Sequence, residues 1–598
     1  MPKSRSRPHP LEDGEPLTVN PVSVERGRFA FSVWDLLAAV LLLGVVALLA
    51  AGSQGVFGSL KELAAAPISL DPRHLPGYAA RTTLRMLVAL VLSLLFTFGY
   101  ATLAAKSRRA EQVLMPLLDI LQSVPILGFV SVTVIWFLAL APGKVLGAEL
   151  VAIFAIFTSQ VWNMTYSLYG SLRTVPRELI EVADSFRMSR WMRFWRLEVP
   201  FAVPPLVWNT MMSMSGGWFF VVASEAILVG DTEVALPGIG SYIEMALKRS
   251  DLTAVLWAIV TMLIVIVLYD QLLFRPLVAW SDRFRFDRQS ASAAKPRSWM
   301  LDLLGRSAAV NAVAGRLGAL MRRSFGPRRG APPRLAPPPR PTDRKRLRSR
   351  RVLVDVVWYA LLVGLTGVVG YYLYQYVGSA LSLGEGLNTL KLGFYTLIRV
   401  FSLTALASVI WVPVGVMIGL DARLTERVQP VVQFLAAFPA NLLFPLAVWV
   451  IVRYGLNTEI WLSPLMILGA QWYILFNVIA GASAIPNDLR DVGANLRVRG
   501  WLWWRRIALP AVFPSFITGA ITASGGAWNA SIVAEVIVWG DEKLEATGLG
   551  AYIVNATEAG DYPRIILGVA IMSLYVVLLN RAFWRPLYER AARRYRVG

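Results

Sequence analysis

Long apolar runs, separated by short polar and basic segments, recur along the whole chain. Several reach the roughly 20 residues that a helix needs to cross the hydrocarbon of a bilayer. The pattern therefore predicts an all-α integral membrane protein with six spans in each half. We place the spans near residues 33–52, 83–104, 114–141, 148–168, 203–228 and 252–274, and again near 352–375, 396–418, 428–452, 459–480, 514–538 and 563–583. Pro125 and Pro439 fall inside the third span of each half, where we expect a bend or break.

The order of polar and apolar residues occurs twice. Residues 176–200 are matched 310 positions later by residues 486–510, and upstream of these segments the offset becomes 314. Because each half has an even number of spans, the halves are parallel, which predicts about 12 transmembrane helices in two pseudo-symmetric six-helix halves with a path between them. The predicted domains are an N-terminal tail (1–32), a first half (33–280), a linker (281–351) and a second half (352–598).

Composition agrees with a membrane location, since 56% of the residues are hydrophobic and only 16% are charged. A soluble protein would carry about a quarter charged residues. Lys and Arg are concentrated in the loops that contain the repeated segments, and such loops face the cytoplasm. We therefore expect the repeated segments, the linker and both termini to be cytoplasmic.

The linker carries most of the net charge, with 19 Lys and Arg against 4 Asp, or +15 of the +21 for the chain. Residues 326–340 are rich in Pro and Arg, whereas residues 299–323 predict a basic amphipathic helix. Beside a membrane span such a helix is expected on anionic lipid headgroups. Membrane lipid is therefore the predicted partner, and nucleic acid is not.

The chain has no cysteine and two histidines, and neither histidine has a partner at the spacing of metal ligands. No G-x-x-x-x-G-K-[ST] loop is present, since the tripeptide Pro142-Gly143-Lys144 lacks the upstream glycine. We predict no catalytic residue, no metal and no cofactor in this chain, which is not an enzyme by itself.

Each repeated segment predicts a short amphipathic helix, a turn and a second helix that leads into a span. In the first copy the apolar side is assigned to Leu179, Ile180, Val182 and Ala183. Some 30 ordered residues between two spans exceed what a connection needs. We interpret the two segments as two docking sites for a cytoplasmic partner; a packed cytoplasmic hairpin is the alternative.

The segment resembles the EAA loop of ABC importer permeases, in which E-A-A is followed by three residues, Gly, nine residues and I-x-L-P. Residues 175–179, 238–242 and 275–277 look most like the nitrate/sulfonate/taurine/bicarbonate branch. The resemblance implies a type I fold with two permease units fused in one chain. The implied ATPase-coupling residues are Glu178, Glu181, Ala183, Asp184, Arg187 and Pro200 in the first half and Asp488, Asp491, Ala494, Arg497 and Pro510 in the second.

The same resemblance implies the partners and the location. Two separate ATPase subunits would bind ATP and Mg and dock on the loops, and a solute-binding protein is expected outside. The solute would be a small anion such as nitrate, sulfonate/taurine or bicarbonate, although the residues themselves do not name it. The location would be the bacterial cytoplasmic (inner) membrane.

One departure from the family concerns the glycine of the loop, which is replaced by Arg187 and Arg497. Glycine adopts positive φ without steric cost, and arginine does not. We therefore expect the turn to be remade or shifted, for example to Gly500.

Polar residues inside spans usually face a partner or a cavity. The candidates for the translocation path are Gln160, Asn163, Asn209, Ser213, Gln471, Asn477, Thr522 and Asn529. Arg85 and Glu225, like Arg399 and Glu535, lie at similar depth near the outer ends of their spans. They predict outer-mouth ion pairs, with anion sensing as the other interpretation.

Two other classes of protein stay open at this point. An ion-coupled secondary transporter usually has acids in the middle of its spans, and none is convincing here. A non-transporting membrane receptor or scaffold would use the basic linker as its working part.

Overall fold

The computed structural model describes residues 33–53, 56–65, 68–229, 232–284, 298–324 and 380–594, with scattered positions between 357 and 378. The predicted N-terminal tail, the Pro/Arg-rich stretch 326–340 and much of the span near 352–375 lie outside the described residues. The helices of the first half are α1 (Val33–Gly52), α2 (Leu60–Ala65), α3 (Leu75–Lys106), α4 (Arg108–Ser123), α5 (Ile126–Leu140), α6 (Val145–Arg173), α7 (Arg177–Ser185), α8 (Arg190–Arg193), α9 (Val199–Ser224), α10 (Ile239–Lys248), α11 (Leu252–Tyr269) and α12 (Arg275–Ser281). Two further helices, α13 (Trp299–Arg306) and α14 (Ala308–Ser324), follow in the predicted linker.

From α3 onward the second half repeats this order, except that three shorter helices replace the continuous α6. Its helices are α15 (Leu383–Leu420), α16 (Ala422–Ala437), α17 (Phe444–Tyr454), α18 (Thr458–Trp461), α19 (Leu465–Leu468), α20 (Gln471–Ser483), α21 (Asn487–Asn495), α22 (Gly500–Trp503), α23 (Leu509–Ala534), α24 (Leu549–Glu558), α25 (Tyr562–Leu579) and α26 (Arg585–Arg594). Single π-helical turns precede α9 and α23 and precede α12 and α26 at equivalent positions: Phe194–Glu198, Trp504–Ala508, Asp270–Phe274 and Asn580–Trp584.

The described residues contain six helices long and apolar enough to cross a membrane, or eight when each bent helix pair counts as one span. The predicted third spans are broken as the prolines suggest, with α4 ending before Pro125 and α16 before Pro439. The second break bends the chain by 78°. A further break, of 43°, separates α19 from α20, where the sequence predicted one continuous span. No proline marks this break, which lies at Gly469 and Ala470.

The predicted fifth spans extend too far at their carboxyl ends. Helices α9 and α23 end at Ser224 and Ala534, and each is followed by a glutamate and a two-stranded antiparallel hairpin. The hairpins are β1 (Ala226–Val229) with β2 (Thr232–Ala235) and β3 (Val536–Trp539) with β4 (Glu542–Glu545). Val, Ile and Ala at these positions extended the apolar runs, although their backbone forms strands.

The broken third helices of each half pack against the other half. Helices α4 and α5 lie against α25, and α5 also lies against α23. Reciprocally, α16 and the 3₁₀ turn Ala440–Leu443 lie against α9 and α11. The ring of Trp208 on α9 also stacks on Phe476 on α20 between the two halves, with 5.1 Å between the ring centres. The breaks therefore lie at the junction of the two halves.

Candidate functional site

A buried cluster of one arginine and two glutamates lies at the carboxyl end of α9. The Arg85 guanidinium donates from Nε and Nη2 to both oxygens of Glu149, at 2.6 and 2.7 Å, and from Nη1 to Glu225 at 2.7 Å. Arg85 Nη1 also donates to the Pro237 carbonyl at 3.2 Å. All three charged side chains are buried. Breaking such an arrangement is costly because it leaves an uncompensated charge away from water.

The same cluster occurs in the second half. Arg399 Nη1 lies 3.3 Å from Glu535 and 2.8 Å from the Thr547 carbonyl, and Nη2 donates to Glu459. The difference between the halves is exposure, since 44% of the Glu459 side chain is exposed and only 9% of the Glu149 side chain is. The geometry thus brings together both predicted Arg–Glu combinations and adds a third member to each.

Glu149 and Glu459 were missed by the sequence reasoning. They are separated by the same 310 positions that relate Glu225 to Glu535, so the repeat itself carried the signal. All three guanidinium nitrogens of Arg85 donate to these carboxylates and to the Pro237 carbonyl. This arrangement favours a structural tie between α3, α6 and α9 over anion sensing by Arg85.

In each half one glycine allows a buried carboxylate, that of Glu225 or Glu535, to approach the start of the following helix. The Gly240 N–H donates to Glu225 at 2.6 Å, and the Ala551 N–H donates to Glu535 at 3.1 Å. A Cβ atom on Gly238 or Gly548 would lie 2.3 Å from the respective carboxylate. The repeated stretches 238–242 and 548–552 therefore bind these glutamates, because N–H groups at the helix starts donate to the negatively charged carboxylates.

The tyrosines that end these stretches connect them to neighbouring elements by hydrogen bonds. Tyr242 donates to the Leu70 carbonyl and Tyr552 to Glu385, both at 2.9 Å. Burial raises the pKa of Tyr242 above its ordinary value, and burial raises the pKa of Tyr552 to about 12. Both hydroxyls therefore stay protonated donors at neutral pH.

At the junction of the halves, each broken helix is bound by the opposite half. The Ile126 N–H, which begins α5 after the break, donates to Asn529 Oδ1 on α23 at 2.8 Å. In the reciprocal place Asn441 Nδ2 donates to the Phe219 carbonyl on α9 at 3.1 Å. Phe219 and Asn529 are related by the 310-residue offset. The side-chain oxygen of Asn441 is buried and has no hydrogen-bond partner among the described residues.

Asn529 is the predicted path residue for which the structure gives a hydrogen bond between the halves. Gln160 is buried beside Met214 and Ser93, Asn209 donates to Ser167, and Gln471 accepts from Trp411, all within one half. Asn477 and Thr522 bond carbonyls of their own helices. Ser213 is buried, and Asn163 is half-buried. Asn441, which the sequence reasoning missed, directly follows Pro439 and Ala440 in the predicted break.

The repeated segments form the same structure in both halves. Helix α7 ends with the Arg187 N–H bonded to the Asp184 carbonyl and the Met188 N–H bonded to the Ala183 carbonyl, at 2.9 and 3.0 Å. Helix α21 ends in the same way at Arg497 and Val498. This is the Schellman arrangement, which requires a left-handed residue. Arg187 has φ 49° and Arg497 has φ 52°. The expectation that arginine would remake or shift the turn is wrong, although Gly500 also has positive φ, at 57°.

Each segment presents acids beside exposed apolar side chains. Glu178, Glu181 and Asp184 are exposed on α7, as are Asp488 and Asp491 on α21. Phe186 and Leu496, at equivalent positions, are 72% and 71% exposed. Val182, which the sequence assigned to the packed side, is also exposed. Pro200 and Pro510 lie in the first turns of α9 and α23.

The buried alanine of the motif is matched differently in the two halves. Ala183 is buried, whereas the predicted counterpart Ala494 is exposed. The buried position of the second half is occupied by Gly493, where a Cβ atom would lie 2.6 Å from Ile507. The repeated segment of the second half therefore matches Ala183 with Gly493, at the same 310-residue offset.

Among the described residues, no group of three or more His, Asp or Glu side chains is placed to hold a metal ion. The charged clusters found here are ion pairs between side chains.

Comparison with known proteins assigns the repeated unit. CmpB of Synechococcus elongatus, a bicarbonate transport system permease protein, is 31% identical over 189 residues, which are 31% of this chain and 64% of CmpB. NrtB of Leptolyngbya laminosa, a nitrate import permease protein, is 26% identical over 177 residues, 29% of this chain and 59% of NrtB. RibX of Chloroflexus aurantiacus, a riboflavin transport system permease protein, is 30% identical over 179 residues, 29% of this chain and 62% of RibX. The chain thus spans less than two thirds of the length of these relatives.

The family match occurs twice, in agreement with the repeat. Residues 97–275 and 411–584 match the family described as binding-protein-dependent transport system inner membrane component, and together they cover more than half of the chain. The resemblance to importer permeases inferred from the repeated segments is confirmed, as is the fold of two six-helix halves. The chain belongs to the family of binding-protein-dependent transport system inner membrane components and contains two of its permease units fused in one polypeptide.

Proposed function

We propose that this chain is the membrane-spanning permease of an ATP-driven importer. The two halves form the translocation path between them, and α7 and α21 transmit the closure of two separate ATPase subunits. ATP and Mg are bound by those subunits, and a solute-binding protein delivers the solute on the other side of the membrane.

The single observation that carries this proposal is the duplicated exposed surface on α7 and α21. The two helices share burial pattern, terminal hydrogen bonds and a left-handed arginine at positions 310 residues apart. Exposed apolar side chains with a polar rim mark a surface that a protein partner covers. Two equivalent surfaces in one chain favour two copies of one partner.

The proposed path lies where the broken helices meet α9 and α23. Non-helical backbone at membrane depth is tolerated where it is buried in protein or lines a cavity. Asn529 of the second half bonds the first break, and Asn441 in the second break bonds Phe219 of the first half, so separation of the halves releases both contacts. This geometry supports an alternating opening between the halves.

The solute class proposed is a small anion such as bicarbonate, nitrate or a sulfonate. Its support is the similarity to bicarbonate and nitrate permease proteins. Uptake of labelled bicarbonate and nitrate by proteoliposomes containing the complete transport system tests it, with riboflavin as the comparison suggested by RibX. Uptake of riboflavin alone would contradict the anion proposal while leaving the importer proposal intact.

Co-purification with the ATPase tests the coupling surface. The variant with Glu181→Arg and Asp491→Arg reverses one exposed charge on each helix and is expected to lose the bound ATPase and its stimulated hydrolysis. The matched control carries Asp541→Arg and Glu542→Arg on the β3–β4 hairpin, beyond the opposite end of α23. Retention of two ATPase subunits and full activity by the first variant would show that the acids lie outside the docking surface.

A further inference from the structure

The helix pair α13–α14 is fixed to the first half through Asp35. The carboxylate Oδ1 accepts from Ser307 Oγ at 2.7 Å and from the Ala309 N–H at 3.0 Å, at the beginning of α14. Asp35 and Ser307 are both buried. A carboxylate at a helix N-terminus is favourable because it meets unpaired N–H groups and the positive end of the helix dipole. This contact places α14 against the first turn of α1.

Two further contacts hold α13. Trp299 Nε1 donates to Gln271 Oε1 at 3.0 Å, beside the end of α11. The Arg306 guanidinium lies over the Trp34 ring, 4.9 Å from its centre. Helix α13 also packs against α12. The pair therefore has a defined position where α1 begins and α11 ends.

That position is the edge of the apolar belt. Beyond Asp35, helix α1 exposes large apolar side chains, among them Leu36, Val40 and Leu43. In a membrane protein such side chains contact acyl chains, so the first turn of α1 lies near the headgroups. Helices α13 and α14 consequently begin at headgroup level.

The exposed surface of the pair combines cations with apolar side chains. Val313 is 56% exposed, and Trp299, Arg306 and Arg316 are exposed as well. Helix α14 contains no acid, and its sequence includes Arg322 and Arg323. Exposed apolar side chains flanked by arginine suit the boundary between acyl chains and anionic headgroups. If a polar protein surface covered the helix instead, Val313 would have no apolar group to contact.

We propose that α13–α14 is a binding surface for anionic lipid headgroups, held at the membrane edge of the first half by Asp35. The chemistry recognised is the phosphodiester of an acidic lipid, contacted by the arginines while Val313 lies toward the acyl chains. The proposal is independent of the transported solute.

The chain has no cysteine, so one introduced thiol can carry a nitroxide label without competing sites. Val313→Cys reports on the proposed lipid face. Gly315→Cys is the matched control on the same helix, since a Cβ atom there meets nothing within 4 Å. The full chain is reconstituted into phosphatidylcholine bilayers with or without phosphatidylglycerol, and collision of the label with oxygen and with a water-soluble nickel complex is measured.

Phosphatidylglycerol is expected to shift the Val313 label toward oxygen and away from nickel, with little change at Gly315. Combining Arg316→Gln, Arg322→Gln and Arg323→Gln is expected to abolish the shift, because each cation near an anionic surface is worth roughly fivefold in partitioning. High salt should weaken the shift in the same direction. Equal accessibility in both bilayers, or a shift that survives the three substitutions, overturns the proposal. Protection of the label by added RNA, with no effect of phosphatidylglycerol, overturns it as well.

Discussion

The Asn529 side chain of the second half accepts a hydrogen bond, at 2.8 Å, from the Ile126 N–H of the first half. Ile126 follows Pro125, so its N–H is one of the donors that a helix start leaves without an intrahelical partner. An unpaired buried donor costs about 1–3 kcal/mol. The contact therefore ties the broken helix of one half to the opposite half, at the proposed closed path.

Replacing Asn529 by alanine is expected to loosen the closed state. Proteoliposomes containing the Asn529→Ala permease should leak a small labelled anion faster without ATP, and the assembled transporter should show raised basal hydrolysis. Asn477→Ala is the control, because Asn477 bonds only the Tyr473 carbonyl of its own helix among the contacts found. Equal leak from both variants would remove Asn529 from the closing contact.

The Glu149–Arg85–Glu225 cluster predicts an order of effects. Arg85→Gln leaves two buried carboxylates without a counter-charge and is expected to lower the free energy of unfolding by about 3–5 kcal/mol. Glu225→Gln or Glu149→Gln leaves one neutral pair and should cost less, about 2 kcal/mol. Adding Glu149→Gln to Arg85→Gln should recover part of the loss.

Denaturant unfolding of the purified permease measures these differences. Arg564→Gln serves as the control, since Arg564 and Glu385 form a partly exposed pair at 3.3 Å and should contribute less than about 1 kcal/mol. If the two glutamate substitutions prove more damaging than Arg85→Gln, the cluster does not carry the excess negative charge inferred here.

The close approach of Glu225 to Gly238 predicts that replacing Gly238 destabilises the protein. Gly238 has φ −174°, which any residue adopts, so the constraint is steric: a Cβ atom would lie 2.3 Å from the carboxylate. Gly238→Ala is expected to lower thermal stability by about 1–3 kcal/mol through overpacking. Gly216→Ala is the control, because its Cβ atom would meet nothing nearer than 3.8 Å. Similar midpoints for the two variants would contradict the close approach.

The sequence predicted the features of the fold that follow from the internal repeat and from the length of the apolar runs. The repeat predicted the two halves, and similar depth near the outer ends of the spans predicted the pairing of Arg85 with Glu225 and of Arg399 with Glu535. The prolines predicted both broken spans. The break at Gly469 and Ala470 escaped because no residue there forbids a helix, and only tertiary packing interrupts it.

The residues of the proposed path were harder to predict, because polarity does not reveal which side of a helix a residue occupies. Gln160 and Gln471 are polar residues satisfied inside one half, and Asn529 has the same character in sequence but reaches the other half. Asn441 was missed since its role depends on the bend at Pro439, which brings it to Phe219. Pairing across the halves is a property of the assembled fold.

The left-handed arginines give the last prediction. A non-glycine residue in the left-handed conformation costs roughly 1–2 kcal/mol. Glycine avoids this strain, but it loses more conformational entropy on folding, which offsets part of the gain. Arg187→Gly is expected to stabilise the end of α7 by about 0.5–1 kcal/mol, and Arg187→Val to destabilise it because a β-branched side chain fits this conformation poorly. Hydrogen exchange of the Met188 amide, which bonds the Ala183 carbonyl, measures both changes.

A left-handed arginine stands at both repeat positions, and we propose from this strain that its side chain serves the proposed docking surface. We therefore expect Arg187→Gly combined with Arg497→Gly to slow exchange at Met188 and Val498 while lowering stimulated hydrolysis in the assembled transporter. Arg177→Gly, at the other end of α7, is the control for loss of a cation without relief of strain. If the double glycine variant gains stability and keeps full coupling, the arginines make no contribution to docking, and the left-handed turn alone is what the partner requires.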